Sequence, residues 1–147
     1  MDGMVTALHL NVGHRVPLKD VLRARFIPDQ GVEGDRHSTG KPERRDYQVL
    51  VMDEETLGML GLAAGDLREN VTTKGLNLTG MLPGEKLALG QEIILRLSKP
   101  CAPCSRMDEL RPGLQQELEG RRGMLAVVER GGTLAVGDSA RPLADSV

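Results

Sequence analysis

A chain of 147 residues with 39% hydrophobic side chains is long enough for about one domain with a real core, and it should fold without disulfide staples. Nineteen basic against twenty-one acidic side chains leave a net charge of -2, which gives no global pull toward DNA, RNA or anionic lipid; any anion site must be local. Tyr47 and Phe26 are the only aromatics, so the stacking platforms of a single-strand nucleic-acid binder are missing and the interior falls to Leu, Val, Ile, Met and Ala.

The N-terminal MDGMVTALHLNVGHRV has neither a basic start nor a long apolar run. No stretch approaches the roughly 18 apolar residues of a membrane span, so an unexported, cytoplasmic protein is expected. Glycines are spread as punctuation between short apolar segments, with no repeat or linker, which reads as a single domain over 1–147. In chain order, Met4 to Val12 has strand-like spacing and Tyr47 to Met52 is a short β-rich run. Asp53 caps a helix predicted over Glu54 to Leu60. Lys86 to Leu89 precedes the Gly90-Gln91 turn, after which Ile93, Leu95 and Leu97 alternate with Glu92, Ile94 and Arg96. That alternation predicts a strand with one apolar and one mixed face, running into Pro100-Cys101-Ala102-Pro103-Cys104. A second helix is predicted over about Arg111 to Leu118, with Asp108 as cap and Pro112 in the first turn. Met124 to Glu129 and Thr133 to Val136 flank Arg130-Gly131-Gly132 and read as a hairpin. Neither helix joins parallel strands with βαβ regularity, and short strands between glycine turns predict a closed or nearly closed β-barrel.

Two cysteines in an unexported chain point to chemistry rather than a staple. Prolines 100 and 103 keep the Cys101-Cys104 segment from opening a helix, which weighs against a thioredoxin-like dithiol. A structural zinc site needs four ligands, and His9, His14 and His37 stand in no paired spacing. A single reactive thiolate needs cations nearby, and Lys99 and Arg106 flank the pair; two ordinary buried cysteines are the bland alternative. In Gly65-Asp66-Leu67-Arg68-Glu69-Asn70-Val71-Thr72-Thr73, Arg68 could fork onto a phosphate while Asn70, Thr72 and Thr73 complete an oxyanion cradle. An Arg68 surface ion pair beside a turn-closing Asn70 fits equally well. Gly31 to His37 frames acid, base and imidazole: Asp35 could orient His37 for acid–base work, or the turn could be merely solvated. The doublets Arg44-Arg45 and Arg121-Arg122 read as solvated faces.

Together GVEGDRH at 31–37, GDLRENVTTKGLNL at 65–78, PGEKLALG at 83–90, KPCAPCSRMDELRPGL at 99–114 and GRRGMLAVVERGGTLAVGD at 120–138 resemble the MOSC domain, named for the C-terminal domain of molybdenum cofactor sulfurase. The order and spacing match over about residues 5 to 142. The resemblance implies a mainly β, barrel-like fold akin to the pyruvate-kinase β-barrel domain, with a few short helices, in stand-alone bacterial form. It also implies a cysteine that ligates molybdenum in a pterin cofactor (molybdopterin) or carries sulfane sulfur as a persulfide. Cys104 matches the family's Pro-Cys-x-Arg/Lys pattern, with Arg106 as its basic residue and Cys101 as an extra. Arg68 and Asn70 match an Arg-x-Asn element that lies against the pterin phosphate in relatives such as the mitochondrial amidoxime-reducing component. Thr72, Asp35 and His37 join the cofactor contacts on this reading. The implied substrates are N-hydroxylated bases, the implied partner a redox or sulfur-donor protein. The family is also associated with pyridoxal phosphate binding. Ser38-Thr39-Gly40-Lys41-Pro42-Glu43 departs from the His-Gly-Gly stretch of many stand-alone relatives, and the larger relatives' amino-terminal extension is missing.

Overall fold

The computed structural model describes residues 3–38, 41 and 47–143. Its frame is a ring of short strands: β1 (Gly3–Leu10), β5 (Val49–Asp53), β6 (Val71–Lys74), β7 (Lys86–Leu89), β8 (Ile93–Pro100), β9 (Met124–Arg130) and β11 (Ser139–Leu143). Hydrogen bonding runs β11-β7-β8-β9-β5-β6-β1, and the ring closes where β1 meets β11 through Gly3↔Ala140 and Met4↔Ser139. The chain is thus mainly β, with a closed seven-stranded barrel. β2 (Lys19–Val21) extends the sheet beyond β1, while β3 (Arg23–Ile27), β4 (Gly31–Val32) and β10 (Gly132–Ala135) form a smaller sheet. The doublet Arg44-Arg45 lies outside the described residues.

The predicted alternation of β8 is real: Ile93, Leu95 and Leu97 are buried, and Ile94, Arg96 and Ser98 partly exposed. With Val5, Leu8, Val49, Val51, Val71, Leu87, Leu89, Ala126 and Val128 they fill the barrel with aliphatic side chains. Full burial of each larger one is worth about 1.5–3 kcal/mol. All five residues of β5 are buried, so both of its faces are covered. Val49 and Val51 face the barrel core, whereas Met52 joins an apolar cluster with Leu57, Leu67, Met107, Leu114 and Leu118.

Helix α1 (Glu54–Met59) starts as expected, with the Asp53 carboxylate accepting from Thr56 N at 3.0 Å. Three expectations are corrected. β5 and β6 are parallel through Val51↔Val71, so α1 does sit in a crossover between parallel strands. The second helix is two: α2 (Met107–Leu110) and α3 (Leu114–Glu117). Pro112 carries no N–H to continue α2, and Gly113 adopts φ +85°. Asp108 still serves the start of α3, accepting from Gln115 N at 3.0 Å. Finally, β9 and β10 form no hairpin, because β8 and β5 occupy both edges of β9. β10 pairs instead with β3 through Thr133↔Arg25.

Candidate functional site

Because side chains alternate along a strand, Leu50 and Leu125 turn outward where Val49, Val51 and Ala126 turn in. They floor a pocket of about 290 Å³ on the outer face of β5 and β9. Its walls carry Arg15, Arg36, Arg68, Arg106 and Arg122, with His14, His37, Asn11, Asn70, Tyr47 and Cys101. Among the described residues, no carboxylate lines it.

Asp35 lies buried at its edge and is the hub of the scaffold. Its Oδ1 accepts from Asn11 N at 2.6 Å and Asn70 Nδ2 at 2.9 Å; its Oδ2 accepts from His37 N and Nδ1, each at 3.0 Å. Burial alone would push this carboxyl up. The hydrogen bonds from His37, Asn11 and Asn70 outweigh it and hold the group below the usual carboxylate range. With Nδ1 held by Asp35, the remaining ring nitrogen of His37 is the one left for proton transfer in the pocket.

Asn70 is equally committed: its amide nitrogen also donates to His9 O at 3.1 Å, and its oxygen accepts from Leu50 N at 3.1 Å. It therefore positions the wall rather than reaching for a ligand. Arg68 adopts φ +63°, a left-handed conformation that is costly for a residue with a Cβ. Its Nη2 donates to Asn11 Oδ1 at 3.2 Å, Gly13 O at 3.3 Å and Val16 O at 2.8 Å, tying down the loop between β1 and β2. Burial, then the neighbouring Arg106 and Arg36, lower its pKa, although a guanidinium stays charged. Arg68 and Arg106 also line a second pocket of about 360 Å³ with His9, Asp20 and Asp66. There His9 Nε2 lies 3.2 Å from Asp20 Oδ1. Gly65, at φ +91°, lets the His9 ring pack where a Cβ would stand 3.0 Å from Nε2.

The expected cradle is thus only partly assembled. Arg68, Asn70, Arg106 and His37 line the pocket with Asp35 behind them, but Thr72 does not. Thr72 is fully buried on the outer face of the sheet beside its β5 partner Met52 and donates to Glu69 Oε2 at 3.1 Å, so its hydroxyl is already committed. Cys104, expected as the reactive thiol, is half-buried against the apolar cluster of Met52, Leu57 and Leu118. Cys101 is the thiol in the pocket wall, with Sγ 3.2 Å from Arg122 Nη1. Burial pushes this thiol up, Arg122 pulls it down, Cys104 adds to the rise and Lys99 opposes it; the net direction is upward.

Sequence reasoning missed Arg122, Arg15, Arg36 and His14. Arg121 behaves as the doublet suggested, donating to Glu117 O at the end of α3. Arg122 turns inward because Gly123, at φ +96°, packs its backbone against β5, where a Cβ would strike the Val51 carbonyl. A basic residue directly before a glycine that opens a buried strand was the available signal. No group of three or more His, Cys, Asp or Glu side chains suited to a metal occurs among the described residues. Nor is any of their helices long and apolar enough to cross a membrane.

The sequence profile of the MOSC domain matches residues 43–141. The chain belongs to the MOSC domain family. This family is associated with molybdenum-cofactor-related proteins. The MOSC fold is also similar to YuaD from Bacillus subtilis, at TM-score 0.77 and 18% identity over 95% of this chain and 94% of that one. YiiM from Escherichia coli matches at TM-score 0.74 and 18% identity, over 99% of this chain and 71% of that one. YiiM from Geobacillus stearothermophilus matches at TM-score 0.75 and 17% identity, over 99% and 77%. At such identities these likenesses concern the MOSC fold alone. No curated protein matches the sequence.

Proposed function

We propose that this MOSC chain binds a molybdenum cofactor, its pterin phosphate held in the arginine pocket and a thiol of the Cys101–Cys104 segment at the reacting end. The observation that carries the reading is the gathering of five arginines, of which Arg15 is paired with Glu109, around one cavity of about 290 Å³ with no lining carboxylate among the described residues. That donor set fits a phosphate, which guanidinium pairs recognise bidentately. Arg122 Nε, buried without a hydrogen-bond partner among the described residues, is a further donor. Arg36, Arg106 and Arg122 would hold the phosphate, with Arg68 joining them on releasing the loop carbonyls.

When bound, the cofactor supplies two-electron redox chemistry, with N-hydroxylated bases as the substrate class. Cys104, the cysteine of the Pro-Cys-x-Arg segment, is the thiol assigned to molybdenum or sulfane sulfur. His37, oriented by Asp35, holds or releases the proton, and Asn70 keeps His9, Asp35 and Leu50 in register. The protein works in the cytoplasm beside a redox or sulfur-donor partner. The second reading is a carrier that hands on sulfur or cofactor without turnover. A Cys101/Cys104 redox switch is a third.

Elemental and pterin analysis of protein from molybdate-supplied cells separates these. Molybdenum in step with protein, and lost in Cys104→Ala, is the expected result. Absent molybdenum with cyanide-releasable sulfur on Cys104 favours the carrier. Molybdenum and sulfur both unchanged in Cys104→Ala would remove that residue from the site.

A further inference from the structure

Cys101, an extra beside the cysteine of the family resemblance, faces a cavity lined by five arginines. The guanidinium beside its sulfur is fixed rather than visiting: Arg122 Nη1 also donates to Ala102 O at 3.1 Å, and Nη2 to Leu67 O at 3.4 Å. Arg36, Arg68 and Arg106 line the same space, as does His37. Asp35 is buried behind the wall and occupied by four hydrogen bonds, and no carboxylate among the described residues lines the cavity itself. A cavity of about 290 Å³ suits a small dianion that brings its own electrophilic atom to the thiol.

We propose that Cys101 accepts a sulfane sulfur from a small sulfur oxyanion of the thiosulfate class. Cys101 Sγ forms a bond to the outer sulfur of thiosulfate. The bond from that sulfur to the sulfonate sulfur breaks, and its electron pair leaves with sulfite. The thiol proton passes to the terminal sulfur of the new persulfide, with the free ring nitrogen of His37 as the nearby carrier. Thiol and thiosulfate dianion thus become persulfide and sulfite dianion, with no external oxidant. The arginines hold the sulfonate oxygens in both states and screen the negative charge that would otherwise repel the sulfur. Burial pushes the Cys101 thiol up, and His37, which lines the same pocket, is the group that takes its proton. The proposal shares the pocket with the pterin reading but does not depend on the pterin.

The test incubates the full chain, reduced and in phosphate-free buffer, with sodium thiosulfate or, as control, sodium sulfate. Thiosulfate should yield equal amounts of sulfite and cyanide-releasable protein sulfur, and sulfate neither. Cys101→Ser should lose both products and Cys104→Ser keep both. Arg122→Gln, which leaves the thiol in place, should slow sulfite release about tenfold or more, the value of one charge-assisted hydrogen bond. Arg36→Gln, remote in sequence from the cysteine segment, should raise the thiosulfate concentration needed for half-maximal release. Wild-type protein that releases no sulfite, or sulfur that persists in Cys101→Ser, overturns the proposal. Molybdenum content measured on the same proteins keeps the two claims apart. Molybdenum without sulfite release sinks only the sulfur step, and sulfite release without molybdenum sinks only the pterin reading.

Discussion

Two regions share the outer face of the barrel, and the cysteine segment joins them. At Leu50 and Leu125 the sheet floors a pocket walled by arginines; at Met52 it floors a dry cluster of Leu57, Leu67, Leu114 and Leu118. Cys101 belongs to the first region and Cys104 to the second, although two residues separate them. Residue type therefore does not decide which thiol meets the arginines. What decides is which side of an irregular turn each faces, and that is settled by distant chain: Arg122 for one, the packing of α2 and α3 for the other.

The largest effects should come from the dry side. Leu118→Ala, at a fully buried position, should lower stability by about 2–5 kcal/mol in urea unfolding, depending on how far the helices collapse into the cavity. Binding of inorganic phosphate to the folded protein should be unchanged. A parallel loss of phosphate affinity would show that the two regions are one unit. On the wet side, Asp35→Asn should cost about 2 kcal/mol, because a neutral amide cannot accept all the donors the carboxylate satisfies. The pH dependence gives a sharper reading. The native pKa of Asp35 is depressed, so its stabilisation is present above the unfolded value near about 3.9 and is lost as pH falls through the native value. The gap between wild type and Asp35→Asn should therefore be widest near neutrality and close in acid. A gap that stays constant down to low pH would show that Asp35 acts through shape alone.

Much of the barrel was legible because its signals are local. The period-two pattern of Ile93, Leu95 and Leu97 is dictated by the pleat, and the Asp53 cap by unpaired amides at the start of α1. The β9–β10 hairpin misled because turn chemistry says that the chain can reverse, not whether an edge is free; β5 and β8 had taken both. The pocket was legible only in part. Arg68, Asn70 and Arg106 stand in motifs, and the Asp35–His37 contact lies within one turn. Arg15, Arg36 and Arg122 come from separate loops and are united only by ring closure, which leaves no spacing to read. Thr72 stands beside the motif and looks like a ligand in the sequence, but the fold commits its hydroxyl to Glu69 and leaves it out of the pocket lining.

The smallest effect separates two jobs of one residue on the boundary between the regions. Arg68 carries a positive φ and a guanidinium that binds the loop carbonyls of Gly13 and Val16. Arg68→Ala keeps the backbone strain and removes the side chain; Arg68→Gly removes both. Inorganic phosphate affinity should fall to the same extent in the two variants, since both lose the same cation. Stability should differ, with the glycine variant about 1 kcal/mol above the alanine variant, the cost of holding a Cβ in the left-handed region. Amide exchange in residues 11–18 should rise equally in both. If glycine instead fell below alanine, its unfolded-state entropy would outweigh the strain, and the conformation of Arg68 would carry no stored cost for a ligand to exploit.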